Sequence, residues 1–305
     1  MSSLDISTCR IEFSDAPIVL LCGGKVNSKN HADDPTPPVA SLRHAIVDSH
    51  TSFEVFRPEE ITGWQSDGVF KDLMSFEREL ASICSLVVII LESEGALVEL
   101  GAFSQLAELS DKIIAICTSK HVTKKSFINL GILRFISEKK RTSVKSYPWE
   151  EKNPSSITAE VINDATSDIK EELSKLPKSQ VFKSDQNSHI IVIICELLRL
   201  FVALKESEIL EYLTHFSTPI SRDNLRGKLF LLLEFRLIKT QNYSDALFYM
   251  RSNETYHKLR LSLKEKAEVT DILRIEFQCL EFYKSNEKHR NRLRAIALAG
   301  QGKIA

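Results

Sequence analysis

One acidic residue inside an apolar segment is the first candidate for chemistry in this sequence. Glu99 lies in the segment ESEGALVELGAFS, which runs from Glu92 to Ser104. Its apolar neighbours predict a helix that is buried almost all round, and a buried carboxylate needs a compensating partner. Such a carboxylate can serve the helix N-terminus or a structural ion pair. The other interpretation is a carboxylate that faces a ligand in a pocket.

A pocket carboxylate is suited to the cleavage of an N-glycosidic bond. The cleavage passes through an oxocarbenium-like state, which a carboxylate beside the anomeric carbon can stabilise or trap covalently. A neutral purine or pyrimidine leaving group also needs a proton donor, whereas the nicotinamide of NAD is already cationic and leaves as a neutral molecule. Glu77, Glu92 and Glu94 are candidates for this acid. The pattern singles out none of them. This lack of a clear general acid favours NAD as the predicted substrate, because its leaving group needs no proton.

Two glycines after a predicted strand are a second candidate for ligand binding. Gly23 and Gly24 follow Cys22 at the end of the apolar run PIVLLC. Glycine lets the backbone turn sharply, so that N–H groups come close to a phosphate or a ribose, and a simple tight turn is the alternative. Arg43, on the next predicted helix, could also contact a phosphate.

The elements that hold these residues alternate between strands and helices. Strands are predicted at Pro17–Cys22, Ser52–Phe56, Ser85–Leu91 and Lys112–Cys117. Helices are predicted between them at Val39–Ser49, Lys71–Ser82 and Ala96–Leu109. Apolar strands bounded by amphipathic helices indicate an α/β fold with a doubly wound parallel sheet, covered on both faces. In such sheets the ligand crevice lies outside the carboxyl ends of the strands.

A change of composition ends this half of the chain. The segment Tyr147–Thr158 concentrates prolines, serines and charges, which predicts a boundary near residue 150. We therefore expect an α/β domain at 1–150, a helical linker at 151–188 and a second, helical domain at 189–305. Two helices followed by two strands predict a winged helix-turn-helix there, at Ser207–Phe216, Ser221–Arg236, Leu237–Thr240 and Ala246–Arg251.

Basic residues of this second domain are candidates for contact with nucleic acid. A long charged helix is predicted from about Leu263 to Ala299 and carries a basic cluster. The candidate nucleic-acid-binding residues are Arg222, Arg226, Lys228, Arg290 and Arg292. A solvated helix face is the alternative, and winged helices also serve as protein-contact modules.

The composition limits the class of protein. The chain has 305 residues, with 43% hydrophobic and 27% charged residues and a net charge of −1, which predicts a folded globular chain of two domains. Its six cysteines are scattered and lack zinc-ligand spacing, so we expect free thiols in a reducing cytoplasm and no metal. We expect neither a secretory signal nor a membrane-spanning segment.

Several motifs together resemble the effector proteins of certain retron antiphage systems. These motifs are LCGG at Leu21–Gly24, SLRH at Ser41–His44, RPEE at Arg57–Glu60, Glu77, ESEGALVELGAFS at Glu92–Ser104 and KKSFINLG at Lys124–Gly131. The resemblance implies an N-terminal domain similar to nucleoside 2-deoxyribosyltransferases, which is flavodoxin-like, and a C-terminal winged-helix DNA-binding domain. Because Gly95-x3-Glu99-x-Gly101 matches the transferase pattern, the resemblance implies that Glu99 is the nucleophile.

The resemblance also implies the rest of a site and its partners. Glu77 would be the second catalytic residue. The substrate-binding residues would be Cys22, Gly23, Gly24, Arg43, Glu92, Glu94, Gly95, Gly101 and Asn129. The partners would be a reverse transcriptase with its multicopy single-stranded DNA and noncoding RNA, in a higher-order assembly.

The sequence thus predicts a toxin effector that hydrolyses NAD to nicotinamide and ADP-ribose and needs no cofactor. A nucleoside or nucleotide deoxyribosyltransferase or hydrolase is the alternative enzyme. A non-catalytic nucleotide-sensing DNA-binding regulator is the alternative from another class.

Overall fold

The computed structural model describes residues 5–27, 35, 37–49, 51–61, 63, 68–123, 125–254, 256–262 and 272–301. The chain forms two compact units. The sheet unit comprises Ala16–Thr62 and Leu73–Leu176, and the C-terminal unit comprises Met1–Asp15, Gly63–Asp72 and Pro177–Ala305. Lys124 and residues 263–271 of the predicted C-terminal helix lie outside the described residues.

The described residues contain strands β1 to β11 in chain order. They are Arg10–Glu12, Ile18–Cys22, Glu54–Phe56, Leu86–Ile90, Ile113–Thr118, Val144–Tyr147, Ser179–Val181, Ala203–Leu204, Ile238–Tyr243, Ala246–Arg251 and Lys258–Arg260. Helices α1 to α11 are Leu42–Asp48, Leu73–Ile83, Glu94–Phe103, Ser119–Thr123, Arg134–Lys139, Ala159–Ser174, Asn187–Leu200, Glu206–His215, Arg222–Glu234, Ile272–Ser285 and Arg290–Gln301. Among the described residues, no helix is both long enough and apolar enough to cross a bilayer.

The sheet unit is built on a five-stranded parallel sheet in the order β3-β2-β4-β5-β6. Every residue of β2, β4 and β5 is buried, because helices cover both faces. One face packs on α1 and α6, while α2 packs against β2 and α3 against β4. This architecture confirms the predicted α/β class. The strand order changes direction between β2 and β4, so the crevice of a doubly wound sheet is expected there.

The helix that carries Glu99 is shorter and more exposed than predicted. It begins at Glu94 and ends at Phe103, since the Ser93 side chain caps its first turn and a separate 3-10 turn follows at Ala107–Leu109. Only one face of the helix is buried, and the Val98 side chain is 69% exposed. Glu99 therefore lies at the border between the buried face and solvent.

The limits of the two units differ from the predicted domain boundaries at residues 150 and 188. Helix α6 belongs to the sheet unit because its apolar side chains, including Val161 and Ile169, pack in the same core as the sheet. Strand β1, which was expected in the first domain, pairs with β7 and β11 in the C-terminal unit. Residues 151–188 are thus divided between the two units.

The C-terminal unit contains the predicted helix pair and hairpin. Helices α8 and α9 are joined by a short turn in which Ser217 has a positive φ of 55°. Strands β9 and β10 form an antiparallel hairpin, and β8 pairs with the other edge of β10. The assignment of these elements to a winged helix stays a prediction. The predicted continuous C-terminal helix is interrupted, because α10 ends at Ser285 and a 3-10 turn at Glu287–His289 precedes α11.

Candidate active site

The carboxyl ends of β2 and β4 bring two of the predicted motifs together. These strands are parallel neighbours, with Cys22 opposite Ile89. The Ser93 hydroxyl donates to the Gly23 carbonyl at 3.0 Å. The Gly24 N–H donates to a carboxylate oxygen of Glu92 at 3.1 Å. The Gly-Gly turn and the acidic loop therefore form one side of the crevice at the point where the strand order changes.

Glu92 holds this loop in place through backbone hydrogen bonds. Besides Gly24, its carboxylate accepts the N–H groups of Leu42 at 2.8 Å and Arg43 at 2.9 Å, at the start of α1. Burial raises the pKa of Glu92, and the three N–H donors oppose this increase. Glu92 and the Gly24 N–H, both predicted to bind substrate, thus bind each other within the protein. They therefore contribute to a site by fixing the position of the loop and of the start of α1.

Gly24 is required here because the chain segments approach very closely. A Cβ atom at this position would lie 2.7 Å from the Ser41 Cβ and 2.9 Å from the Glu92 Cγ. Contacts under 3.0 Å force a displacement, and neither neighbour can give way without disturbing the cap of α1. Gly24 therefore allows the Glu92 side chain to reach the backbone of α1.

The Glu99 carboxylate lies on α3 beside the end of β2. Its Oε2 atom is buried and has no hydrogen-bond partner among the described residues. Burial raises the pKa of Glu99, while a hydrogen bond with the Cys22 thiol and the positive charge of Arg43 oppose this increase. A buried polar oxygen without a partner is rare in native proteins and points to an absent ligand or water. This unpartnered oxygen favours the interpretation of Glu99 as a carboxylate that faces a ligand over that of a structural ion pair.

Glu77, on α2, is the second carboxyl group of this site. The residue is 8% exposed. Burial, followed by the negative charges of Glu99 and Glu59, raises the pKa of Glu77 to about 7. Near neutral pH a large fraction of Glu77 therefore carries a proton. This protonated carboxyl could act as a general acid, a role for which the sequence singled out no residue.

Arg43 provides the positive charge at this site. Its guanidinium group is buried, with Nη2 2.7 Å from a carboxylate oxygen of Glu59 and Nη1 3.4 Å from the Gly24 carbonyl. The Nε atom is buried and lacks a hydrogen-bond partner among the described residues. The Nε–H group of Arg43 is thus a buried hydrogen-bond donor without an acceptor, and the Oε2 atom of Glu99 is a buried acceptor without a donor, among the described residues.

Glu59 is a residue of the site that the sequence did not single out. Glu59 is the first glutamate of the RPEE motif, which follows β3. The sequence of this motif does not indicate that Glu59 pairs with an arginine elsewhere in the chain. Its ion pair with Arg43 bridges 16 residues of sequence. Only the strand order, which places β3 beside β2, brings the two together.

The Cys22 thiol contacts the catalytic candidate rather than solvent. Leu21 packs in the core with α1 and α6, so Cys22 points to the opposite face of the sheet, where α2 and α3 pack. Burial, followed by the charges of Glu99 and Glu77, raises the pKa of the Cys22 thiol well above its usual value. The sulfur therefore stays protonated and can donate a hydrogen bond to Glu99.

The remaining predicted substrate-binding residues lie apart from these contacts or have other partners. Glu94 and Gly95 are exposed at the start of α3. Gly101 faces Ile132, whose Cδ1 atom would be 3.8 Å from an added Cβ. The Asn129 amide nitrogen donates to the Val122 carbonyl at 2.6 Å. The structure brings together Glu99, Glu77, Arg43 and Cys22, with Gly24 and Glu92 hydrogen-bonded to Arg43. It does not show Glu94, Gly95, Gly101 or Asn129 converging on this group.

The five predicted nucleic-acid-binding residues separate into exposed and buried groups. Arg222 and Arg226 are exposed, and both pair with the carboxylate of Glu206, at 3.1 and 3.2 Å. Arg290 is also exposed. Lys228, in contrast, is 1% exposed and donates to the Asn187 side chain at 3.1 Å.

Arg292 is the second buried member of that set. It is 6% exposed, pairs with the Glu208 carboxylate and lies 4.6 Å from the centre of the Tyr283 ring. Buried cations with such partners are engaged within the protein and do not present their charge to phosphates. The structure therefore places neither Lys228 nor Arg292 where nucleic acid could reach it.

The sequence is similar to proteins of known retron systems. Two similar proteins of Escherichia coli are named "Retron Ec73 putative ribosyltransferase/DNA-binding protein" and "Retron Ec86 putative ribosyltransferase/DNA-binding protein". The first is 27% identical over 206 residues, or 61% of this chain and 62% of that protein. The second is 33% identical over 130 residues, or 41% of this chain and 39% of that protein. The aligned region thus spans less than two thirds of either relative.

A family model extends the similarity across both units. It describes the STM3845 retron effector protein and matches residues 39–240, which is more than half of the 305-residue chain. The matched segment includes Arg43, Glu77 and Glu99 as well as α8 and α9. The chain therefore belongs to the STM3845 family of retron effectors.

Proposed function

We propose that this retron effector is a toxin that cleaves an N-glycosidic bond with Glu99 as its nucleophile or electrostatic stabiliser. The observation that carries the proposal is the buried Glu99 oxygen without a partner, beside a carboxyl group that can hold a proton near neutral pH. Such a pair supplies a negative charge for the oxocarbenium-like state and an acid for the leaving group. The names of the relatives support transfer or release of a ribosyl group.

We propose NAD as the substrate and its hydrolysis to nicotinamide and ADP-ribose as the reaction. The groups whose charges act on Glu77 and Glu99 include one cation, Arg43, and the further carboxylate of Glu59. Because Glu59 is paired with Arg43, the charge of the Glu99 carboxylate remains to favour the cationic nicotinamide ring in the ground state and the ribosyl cation in the transition state. The released nicotinamide is neutral, so the reaction requires no acid. NAD acts as substrate, and no cofactor is required.

The pKa of Glu77 favours a second candidate reaction as well. A carboxyl group that is protonated near pH 7 can donate to a neutral purine or pyrimidine as it leaves. A nucleoside or nucleotide deoxyribosyltransferase or hydrolase is therefore the alternative enzyme. The sequence-based preference for NAD rested partly on the lack of a clear acid, and Glu77 supplies one.

A substrate survey separates these reactions from a non-catalytic nucleotide sensor. Purified protein is incubated with NAD and, separately, with deoxyadenosine, and the products are resolved by chromatography. We expect free nicotinamide and ADP-ribose from NAD. Release of adenine from deoxyadenosine alone would establish the alternative enzyme, and saturable binding without any product would establish the sensor. The Glu160→Gln variant, altered at an exposed position on α6, is the matched control and should keep wild-type activity.

We propose that the C-terminal unit is a winged helix that docks on a retron reverse transcriptase carrying its multicopy single-stranded DNA. Arg222 and Arg226 are more than half exposed, and one carboxylate, that of Glu206, pairs with both. Exposed ion pairs contribute about 0–1 kcal/mol. Phosphate groups could therefore replace Glu206 as the partner of these two arginines at little cost. This complex would restrain or scaffold the toxin until infection.

Removal of the two arginines tests this docking. Arg222→Ala/Arg226→Ala should weaken binding to the reverse transcriptase–DNA complex about tenfold or more. If both contact phosphates of a single strand, the slope of log K against log salt should become shallower by about 1.4, since each contact contributes about 0.7. The measurement is a titration at several salt concentrations.

The control for this titration removes the same charge elsewhere. Arg134→Ala/Arg141→Ala changes two exposed residues of the sheet unit, and its affinity and salt slope should match those of the wild type. Equal effects of the two double variants would show that only net charge matters. That result would contradict a specific role for Arg222 and Arg226.

A further inference from the structure

A cleft of about 330 Å³ in the C-terminal unit lies outside every site described above. It lies where the end of α7, the end of β10 and the start of β11 meet. Its lining residues are Cys195, Glu196, Arg199, Leu237, Arg251, Ser252, Asn253, Glu254, Tyr256, His257 and Lys258. Ligand pockets commonly begin at about 300 Å³. The cleft is therefore large enough for a molecule such as a mononucleotide.

The buried acidic residue of the cleft is already neutralised. Glu196 is 3% exposed and accepts two hydrogen bonds from Arg199, one of them from Nε at 3.0 Å and the other from Nη2. Burial raises the pKa of Glu196, and Arg199 opposes that increase. Because this pair satisfies itself, it leaves the charge of the cleft to the other lining residues.

The other charged residues of the cleft give it a positive charge. Arg251 and Lys258 are exposed, and the positive charge of Lys258, like that of Arg199, acts on the Glu196 carboxylate and opposes the increase in its pKa. Glu254 is the one further acidic residue in the lining. Two cations against one carboxylate favour an anionic ligand, and Arg251 can bind a phosphate group through two parallel hydrogen bonds.

Aromatic and polar groups complete the wall. The rings of Tyr256 and His257 are stacked, with centroids 4.3 Å apart and an angle of 18°. The His257 Nδ1 atom accepts the Ser14 N–H at 3.1 Å, so a neutral His257 carries its proton on Nε2. The Ser252 hydroxyl accepts the Glu254 N–H at 3.0 Å, which fixes the turn between β10 and the stacked pair. A fixed aromatic wall next to two cations suits a flat base attached to a phosphate.

We propose that this cleft binds a nucleoside monophosphate group, with Arg251 and Lys258 on the phosphate. The site is separate from Glu99 and its chemistry, so the proposal goes beyond the glycosidase and does not depend on it. The nucleotide has two sources, a free mononucleotide or the phosphorylated end of a DNA strand. Either would give the C-terminal unit a ligand-binding function of its own.

Binding of AMP by the full-length protein tests the proposal. Isothermal titration with AMP should give a saturable site, and Arg251→Ala or Lys258→Ala should each raise its dissociation constant about tenfold or more. Arg260→Ala changes an exposed arginine of the same strand, β11, that is not part of the cleft lining, and it should change the dissociation constant less than twofold. Equal melting temperatures for the three variants establish that the folds are intact.

A second titration distinguishes the two sources of the nucleotide. A 5′-phosphorylated thymidine trinucleotide that binds more tightly than AMP, with the same sensitivity to Arg251→Ala, identifies a strand end as the ligand. Tighter binding of AMP identifies a free nucleotide. The proposal is overturned if neither molecule binds. It is also overturned if their binding is unaffected by Arg251→Ala and Lys258→Ala, since the ligand would then occupy another site.

Discussion

Glu99→Gln is expected to lower kcat for glycosidic cleavage at least a few hundredfold. Glutamine keeps the size and the hydrogen-bonding capacity of the side chain and removes the charge that would stabilise or trap the ribosyl cation. Loss of one strong electrostatic stabiliser typically costs about 3–4 kcal/mol in the transition state. The measurement is the initial rate of nicotinamide release from NAD at saturating substrate.

The Glu99→Gln variant should fold normally, because a neutral amide costs less free energy to bury than a carboxylate. Binding to the reverse transcriptase–DNA complex should also persist, while toxicity in cells disappears. The Glu160→Gln protein is again the control for a loss of one surface charge. A folded Glu99→Gln protein with wild-type turnover would show that Glu99 is a structural carboxylate on α3 and would contradict the proposed site.

The architecture of the sheet unit could be predicted from the sequence because its signals are local. Strands β2, β4 and β5 are continuous apolar runs, and such runs are typical of strands buried on both faces. Strand β1 gave no comparable signal. It has three residues, of which only Ile11 is buried, and its partners β7 and β11 lie far away in the sequence. Pairing of so short a strand depends on tertiary contacts that local patterns do not contain.

The candidate site was predictable in position and only partly in its contacts. The spacing after β4 identified Glu99, because a carboxylate among apolar residues is visible in one segment. The role of Glu92 was not visible, since its N–H partners lie on α1, about fifty residues earlier in the chain. The same holds for the ion pair of Arg43 with Glu59. To predict contacts between distant segments, one must know the order of the strands in the sheet as well as the sequence.

One of the buried cations did carry a sequence signal. Lys228 lies on α9 between Leu225 and Leu229, and it follows Leu225 by three residues. Positions separated by three and four residues share one face of a helix, and here that face is the buried one. The prediction of Lys228 as a nucleic-acid-binding residue did not take this buried face into account, whereas Arg222 and Arg226 are exposed as that prediction requires.

Glu77→Gln is expected to make the protein more stable above pH 7 and to slow catalysis less than Glu99→Gln does. The pKa of Glu77 is about 7 in the folded protein against 4.5 for an ordinary glutamate, so the folded state holds this proton more tightly than the unfolded state. Its contribution to stability is complete below pH 4.5 and is lost as the pH rises to about 7. Glutamine cannot ionise, so the free energy of unfolding at pH 8 should rise by up to about 3 kcal/mol, at about 1.4 kcal/mol per pKa unit.

Denaturant titrations of the wild type and the Glu77→Gln variant at pH 4.5 and pH 8 measure this effect. The difference between their free energies of unfolding should be small at pH 4.5. Glu160→Gln, which removes an exposed carboxylate, is the matched control in these titrations. Activity provides an independent measurement, because Glu77 as a general acid predicts that kcat/KM for a deoxynucleoside falls about tenfold per pH unit above pH 7. The NAD reaction, whose leaving group needs no proton, should lack this decline. Equal stability of the two proteins at pH 8, together with a flat deoxynucleoside profile, would show that Glu77 is ionised at neutral pH and is not the acid.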